Sequence, residues 1–332
     1  MITFIFALKF CIMKKILAND GIDKSGQILL EKAGFTVITD KVPQEKLAVY
    51  INENQISALL VRSATTVRKE LIDQCDSLKL IGRGGVGMDN IDVQYAREIG
   101  REVINTPGAS SQSVAELVFA HLFSCVRFLD DSNRKMPITG NTEFDKLKKN
   151  YAKGVELRGK TIGIIGFGRI GQSVATYALG CGMKVLAHDP FISSADIEFE
   201  ISGHGKIKVT IKSSSFEDVI KNSDFISLHV PKQKDGSAVI GKKEFEMMKS
   251  NSILINAARG GVVDESELIA ALDSGKLVHA ALDVFENEPT PDSRLLTHAK
   301  ISLSPHIGAA TNEAQDRIGI ELAEKIIAYF KS

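Results

Sequence analysis

The stretch Thr161-Ile162-Gly163-Ile164-Ile165-Gly166-Phe167-Gly168-Arg169-Ile170-Gly171 decides how this chain is read. Ile162 to Ile165 is a solid apolar run, the pattern of a strand buried on both faces of a parallel sheet. Each glycine of the G-x-G-x-x-G spacing that follows has its own physical task. Gly166 permits the tight turn out of the strand. Gly168 lets a pyrophosphate approach the backbone, and Gly171 lets the next helix pack close to the strand. The start of that helix offers free N–H groups and the positive end of a dipole. Asp189 lies 18 residues past Gly171, at the end of the next apolar run. There a carboxylate accepts hydrogen bonds from both hydroxyls of an adenosine ribose. Its charge would repel a 2′-phosphate, and Pro190-Phe191 brings no arginine to receive one, so the expected cofactor is NAD.

Outward from this motif, short apolar runs alternate with amphipathic stretches. The expected strands before it are Ile16–Ala18, Phe35–Ile38, Ala58–Val61, Leu78–Ile81 and Val103–Ile104. After Thr161–Ile165 come Lys184–Ala187, Phe225–His229, Ile253–Asn256, His279–Leu282 and Ile301–Leu303. Intervening helices, such as Lys24–Ala33 and Val67–Gln74, make this an α/β chain with two doubly wound parallel sheets. Pro107-Gly108 and Pro305 mark the crossings between lobes. The expected division is a first lobe over 13–107, completed by 307–332, and a dinucleotide-binding lobe over 108–306. Ser113–Leu129 reads as one long helix with an apolar stripe, and Asn312–Tyr329 as a closing helix that returns to the first lobe. The polar segment 191–215 contains Lys206-Ile207-Lys208-Val209-Thr210-Ile211-Lys212, which alternates with period two after Gly203 and Gly205. It is expected to form a solvated surface hairpin, with a partner-binding arm as the alternative.

The 332 residues correspond to about two domains. Lys+Arg and Asp+Glu both number 41, so no global charge attracts nucleic acid or an anionic membrane, and neither is an expected partner. Cys11, Cys75, Cys125 and Cys181 lie 50 or more residues apart, which excludes metal knuckles and favours reduced thiols in a cytoplasmic protein. The seven histidines form no H-E-x-x-H, so no metal is expected. Residues 1–12 are apolar apart from Thr3 and Lys9, but Lys14 and Lys15 follow the run instead of preceding it, against a signal peptide. The reading adopted is a non-native or disordered extension with Met13 as the true start. An extra strand or helix, or a targeting segment, are the alternatives.

Three further segments each follow an expected strand: Asn256-Ala257-Ala258-Arg259-Gly260-Gly261, Asp283-Val284-Phe285-Glu286-Asn287-Glu288-Pro289 and Ser304-Pro305-His306-Ile307-Gly308. Ligands of open parallel sheets bind beyond the carboxyl ends of strands. Taken singly, an Arg-Gly turn, a loop glutamate or a lone histidine is usually structural. Their order behind a dinucleotide loop makes them a candidate site.

With these segments, and with Arg62-Ser63-Ala64-Thr65, Gly82-Arg83-Gly84-Gly85-Val86-Gly87-Met88-Asp89-Asn90 and Asn105-Thr106-Pro107-Gly108, the chain resembles the D-isomer-specific 2-hydroxyacid dehydrogenases from about Lys15 to its end. Within them it is most similar to the D-3-phosphoglycerate dehydrogenases. The resemblance implies two Rossmann-like lobes with a cleft between them, and a homodimer or higher oligomer formed through the cofactor lobe. It assigns Arg259 to the substrate carboxylate and carbonyl, His306 to acid–base chemistry and Glu288 to the support of His306. Cofactor contacts fall on Val86, Gly166, Gly168, Arg169, Ile170, Gly171, Asp189, Val230, Pro231, Ala257, Asp283, His306 and Gly308. Substrate contacts fall on Arg62, Ser63, Arg83, Gly84, Gly85 and Arg259. A phosphorylated substrate needs further cationic donors, and Arg62 and Arg83, joined by Arg134 or Lys135, are expected to hold its phosphate. Structural pairing with nearby acids is the alternative for Arg62 and Arg83.

On that resemblance neutral His306 takes the hydroxyl proton as hydride leaves the same carbon, and Glu288 steadies the imidazolium that forms. Two departures stand out. The segment from Asp189 to His229 is long, which fits an inserted hairpin. The C-terminal serine-binding module of longer relatives has no counterpart before Ser332, so serine feedback through it is not expected. The leading expectation is oxidation of a phosphorylated 2-hydroxy acid, 3-phospho-D-glycerate. Its rivals are a glyoxylate or hydroxypyruvate reductase, and an NAD-sensing scaffold similar to the C-terminal-binding-protein corepressors.

Overall fold

A computed structural model describes residues 14–331. The expected extension over 1–12, Cys11 and the start at Met13 lie outside the described residues. The described residues divide into two compact units, 14–110 with 311–331, and Ser111–Ala310.

The first unit is a five-stranded parallel sheet of β1 (Lys15–Ala18), β2 (Thr36–Ile38), β3 (Ile56–Val61), β4 (Leu80–Arg83) and β5 (Glu102–Asn105), in the order β2-β1-β3-β4-β5. Its helices are α1 (Lys24–Lys32), α2 (Leu47–Asn54), α3 (Lys69–Asp73), α4 (Val93–Glu98) and, from the chain's end, α13 (Asn312–Lys331). Period-two alternation along β1 sends Ile16 and Ala18 to the layer of Leu30, Ile318 and Leu322, and Leu17 to that of Leu47, Ile51 and Ile72. Helices therefore cover both faces, which is why these strands read as unbroken apolar runs. α1 and α13 cross so closely that a Cβ on Gly26 would lie 2.3 Å from the carbonyl oxygen of Gly319. The strand order reverses between β1 and β3, and the loops after these two strands carry Asp20 and Arg62.

The second unit holds β6 (Thr161–Ile165), β7 (Lys184–His188), β10 (Phe225–Leu228), β11 (Ser252–Asn256), β12 (Leu277–Leu282) and β13 (Ile301–Leu303) in one parallel sheet of order β13-β12-β11-β10-β6-β7. Two apolar layers flank it. α5 (Ser111–Arg127) and α8 (Arg169–Gly180) cover one face; α9 (Phe216–Asn222), α10 (Lys242–Met247) and α11 (Glu265–Asp273) cover the other. α6 (Leu129–Thr139), α7 (Phe144–Asn150) and the short α12 (Ser293–Leu296) complete the unit. The switch point lies between β6 and β10, where the glycine turn emerges.

Two expectations are corrected. The long helix ends at Arg127 instead of running to Leu129. Phe128 takes a left-handed φ of 56°, and α6 leaves at a bend of 57°. The Phe128 ring packs edge-on against His279 with centroids 5.5 Å apart, so a tertiary contact outweighs helical propensity there. The inserted hairpin, β8 (Ser194–Ile201) and β9 (Gly205–Lys212), is antiparallel as expected but not wholly solvated. Ile197 and Ile211 at its inner end are buried in the α5–α8 layer, while Ile201 and Ile207 near its tip are exposed. Both units also extend a few residues past the proline marks. Asp283 holds Ile307 and Gly308 in the second unit by accepting their backbone N–H groups at 2.8 and 2.9 Å. Among the described residues no single helix is long and apolar enough to cross a membrane.

Candidate active site

The β6–α8 turn requires glycine by geometry. Gly166 has φ +90°, and a Cβ there would lie 2.4 Å from the His229 carbonyl oxygen; one on Gly171 would lie 2.2 Å from the Gly166 carbonyl oxygen. Gly168 has nothing within 4 Å on its side-chain face, and no side chain caps the N-terminus of α8. Asp189 ties the end of β7 to this turn. Its carboxylate accepts the N–H of Phe167 at 2.8 Å and of Phe191 at 2.9 Å. A carboxylate has about four lone-pair sites, so capacity remains for a ribose diol. Uncapped helix N-terminus, close turn and acid together fit a dinucleotide.

Three loops at the carboxyl ends of β11, β12 and β13 hold Arg259, Glu288 and His306. The Asn256 side chain closes the first by donating to the Arg259 carbonyl at 3.0 Å and accepting the Ala258 N–H at 3.1 Å. Gly260 passes so near the second loop that a Cβ would lie 1.8 Å from the Phe285 carbonyl oxygen. Glu265, 9% exposed, accepts the Glu286 N–H at 2.7 Å, and burial pushes its carboxyl above the usual range. Glu288 bridges outward: Oε1 accepts the Phe285 N–H at 3.0 Å, and Oε2 lies 2.8 Å from His306 Nδ1. A neutral His306 thus gives Nδ1–H to the carboxylate and keeps Nε2 as a proton acceptor. Its backbone has the left-handed φ of 55°, with its N–H bonded to the Asp283 carbonyl at 2.8 Å.

In the second unit the structure thus brings together Gly166, Gly168, Arg169, Ile170, Gly171, Asp189, Val230, Pro231, Ala257, Arg259, Asp283, Glu288, His306 and Gly308, all beyond the carboxyl ends of one sheet. Val86, Arg62, Ser63, Gly84 and Gly85 belong to the first unit beyond β3 and β4, and Arg83 ends β4. Arg62 borders a cavity of about 260 Å³ with Asp20, Asp23, Gly84 and Gln315. The Arg83 side chain curls over Gly85 and donates to the Gly84 carbonyl at 3.3 Å. Lys135 pairs with Asp131 at 2.8 Å along α6.

Asp20 went unread in the sequence. Its carboxylate accepts the N–H of Arg62 at 2.7 Å and of Thr65 at 3.0 Å, and it bonds the Thr65 hydroxyl and Lys41. Burial works to raise its pKa, but those hydrogen bonds outweigh it and hold the carboxyl below the usual range. The usable signal was an Asn-Asp-Gly turn directly after the first strand. Lys232, whose ammonium lies 3.2 Å from where a Gly261 Cβ would stand, was also missed; Pro231-Lys232 gave only a loop signal.

Comparison with known proteins gives the family of the chain. Residues 119–308 match the family described as D-isomer specific 2-hydroxyacid dehydrogenase, NAD binding domain. The chain is 42% identical over 316 residues to a hydroxypyruvate reductase of Thermotoga maritima, covering 94% of this chain and 97% of that one. It is 39% identical over 314 residues to a D-3-phosphoglycerate dehydrogenase of Methanocaldococcus jannaschii, covering 95% of this chain and 57% of that longer protein. A glyoxylate reductase structure from Paecilomyes thermophila superposes with a TM-score of 0.79 at 27% identity, covering 96% of each chain. The chain belongs to the D-isomer-specific 2-hydroxyacid dehydrogenases, oxidoreductases with an NAD-binding domain of this family.

Proposed function

We propose that the protein is a D-3-phosphoglycerate dehydrogenase, oxidising 3-phospho-D-glycerate to 3-phosphohydroxypyruvate on the route to L-serine. The observation that carries this reading is Arg62. Among the described residues its guanidinium has no bonding partner, and it is the one cation bordering the cavity at the first unit's switch point. The two acids there are engaged elsewhere: Asp20 with Lys41 and Thr65, Asp23 with Ser25 at the start of α1. A phosphate dianion is the kind of group such an arginine would bind. Several relatives that match nearly all of this chain carry the phosphoglycerate dehydrogenase name.

Arg259 would grip the substrate carboxylate through its planar guanidinium. His306 Nε2 would take the hydroxyl proton in oxidation and return it in reduction, with the Glu288 carboxylate on Nδ1 to stabilise the imidazolium. The β6–α8 turn and Asp189 would hold NAD, which when bound would accept the hydride. Asp189 would select it: Asp189→Ala should weaken NAD binding and narrow its preference over NADP, as measured by kcat/KM with each. Unchanged discrimination would remove the ribose role from Asp189.

A second reading is reduction of hydroxypyruvate or glyoxylate, favoured by the coextensive Thermotoga relative. Steady-state assays on a panel of 2-hydroxy and 2-oxo acids separate the two. Arg62→Ala should raise KM for the phosphorylated substrate far more than for glyoxylate. Good turnover of hydroxypyruvate with none of 3-phosphohydroxypyruvate would transfer the assignment to the reductase. We further read the protein as a cytoplasmic homodimer joined through the second unit. Exposed Phe123 and Val155 there border one open cavity of about 610 Å³ with Arg127, Glu156 and Arg158, a mixed apolar and charged surface suited to a second copy.

A further inference from the structure

His121 lies midway along α5, 6% exposed, and no role above uses it. Both ring nitrogens are bonded. Nδ1 is 2.9 Å from Ser302 Oγ, and Nε2 is 2.8 Å from Ser304 Oγ. Ser304 Oγ in turn lies 2.6 Å from Asp283 Oδ1, the short distance typical of a hydroxyl donating to a charged oxygen.

The direction of each proton in this chain follows from valence. A carboxylate only accepts, so Ser304 gives its single proton to Asp283. Ser304 must then accept from His121, which makes His121 the Nε2–H tautomer. Nδ1 is left as the acceptor for the hydroxyl of Ser302. Burial pushes the imidazole pKa down, against the pull of Asp283 and Asp130, and so favours the neutral ring that this arrangement requires. The order is Ser302 O–H to His121, His121 Nε2–H to Ser304, and Ser304 O–H to Asp283.

The far end of the chain is the turn that presents His306. Asp283 accepts the N–H of His306 through its carbonyl, and those of Ile307 and Gly308 through its two carboxylate oxygens. His306 sits at φ +55°, a region sparsely populated by residues other than glycine. Such a conformation persists only where the surroundings over-determine it. We propose that His121 is a positioning residue for this reaction: through Ser304 it fixes the Asp283 carboxylate, and through Asp283 the turn that aims His306. The proposal rests on His306 as the acid–base group, so its test has one arm that does not depend on that reading.

That arm is the tautomer. In the full-length protein labelled with 15N-histidine, the resonances lost in His121→Gln identify His121. They should report Nε2–H with an unprotonated Nδ1 at neutral pH. An Nδ1–H tautomer, or an imidazolium at that pH, would overturn the relay whatever His306 does. The kinetic arm uses the 2-oxo acid that the wild-type enzyme reduces fastest. Ser304→Ala and His121→Leu should each lower kcat by about 10-fold to 10²-fold, the scale of a small misplacement of a reacting group. KM for the oxo acid should stay within about twofold, because Arg259 is held by separate bonds through Asn256. A glutamine side chain in place of the imidazole retains both a donor and an acceptor, so His121→Gln should keep most of kcat. Ser304→Ala made in a His306→Ala protein should cost nothing further. Wild-type kcat in Ser304→Ala, or a full additional loss in the double variant, would show that the chain only packs the core.

Discussion

His306→Ala is expected to lower kcat by about 10²–10⁴-fold, the range for loss of general acid–base catalysis. KM for the 2-oxo acid should change much less, because Arg259 and its Asn256-closed turn are untouched. The Nδ1–Glu288 contact of 2.8 Å leaves Nε2 as the one ring nitrogen able to exchange a proton with substrate. Glu288→Gln keeps a group of the same shape beside Nδ1 but removes its charge. Its loss of kcat should therefore be real but smaller than that of His306→Ala. Nearly unchanged turnover in His306→Ala would leave the acid–base role without an owner.

Gly260→Ala is the second large effect. The new Cβ would stand 1.8 Å from the Phe285 carbonyl oxygen and 2.9 Å from the Glu286 nitrogen, so backbone must move. It cannot move freely. Phe285 N–H is bonded to Glu288 and Glu286 N–H to Glu265. Overpacking of this kind costs about 1–3 kcal/mol of stability, read as a lower Tm. The sharper consequence is catalytic, because the shift separates Arg259 on one loop from Glu288 and His306 on the next two. A displacement near 1 Å costs about 10²-fold in rate. Gly275→Ala is the contrast: its added Cβ meets nothing within 4 Å, and its strained φ of +76° should cost stability alone. Equal activity losses in the two variants would show that loop spacing at Gly260 does not set catalysis.

Much of the fold and the site was legible before any coordinates. Short apolar runs placed every strand of both large sheets, because strands covered on two faces leave no room for polar alternation. The glycine spacing located the dinucleotide turn, since only glycine survives contacts of 2.2–2.4 Å to backbone oxygens. Segment order behind that turn nominated Arg259, Glu288 and His306, and strand ends of one parallel sheet lie together by topology.

Other features have no local signature. The break at Phe128 follows from a ring contact with His279, more than a hundred residues away, which no propensity scale contains. The hairpin's burial depends on where α8 lies beneath it. Asp20 reads as a turn acid until β3 is placed beside β1, when it becomes the anchor of the Arg62 loop. His121 reads as one residue of the long helix, Ser302 as a residue inside a short strand and Ser304 as the start of the segment that carries His306. Only packing α5 across β13 brings them within hydrogen-bond distance, 181 and 183 residues apart. The sequence alone determined the elements, their parallel order and the chemistry carried at strand ends, since these follow from local periodicity and spacing. Tertiary structure alone decided which buried polar groups satisfy one another. That choice is set by partners distant in sequence, and a group without such a partner costs too much to bury.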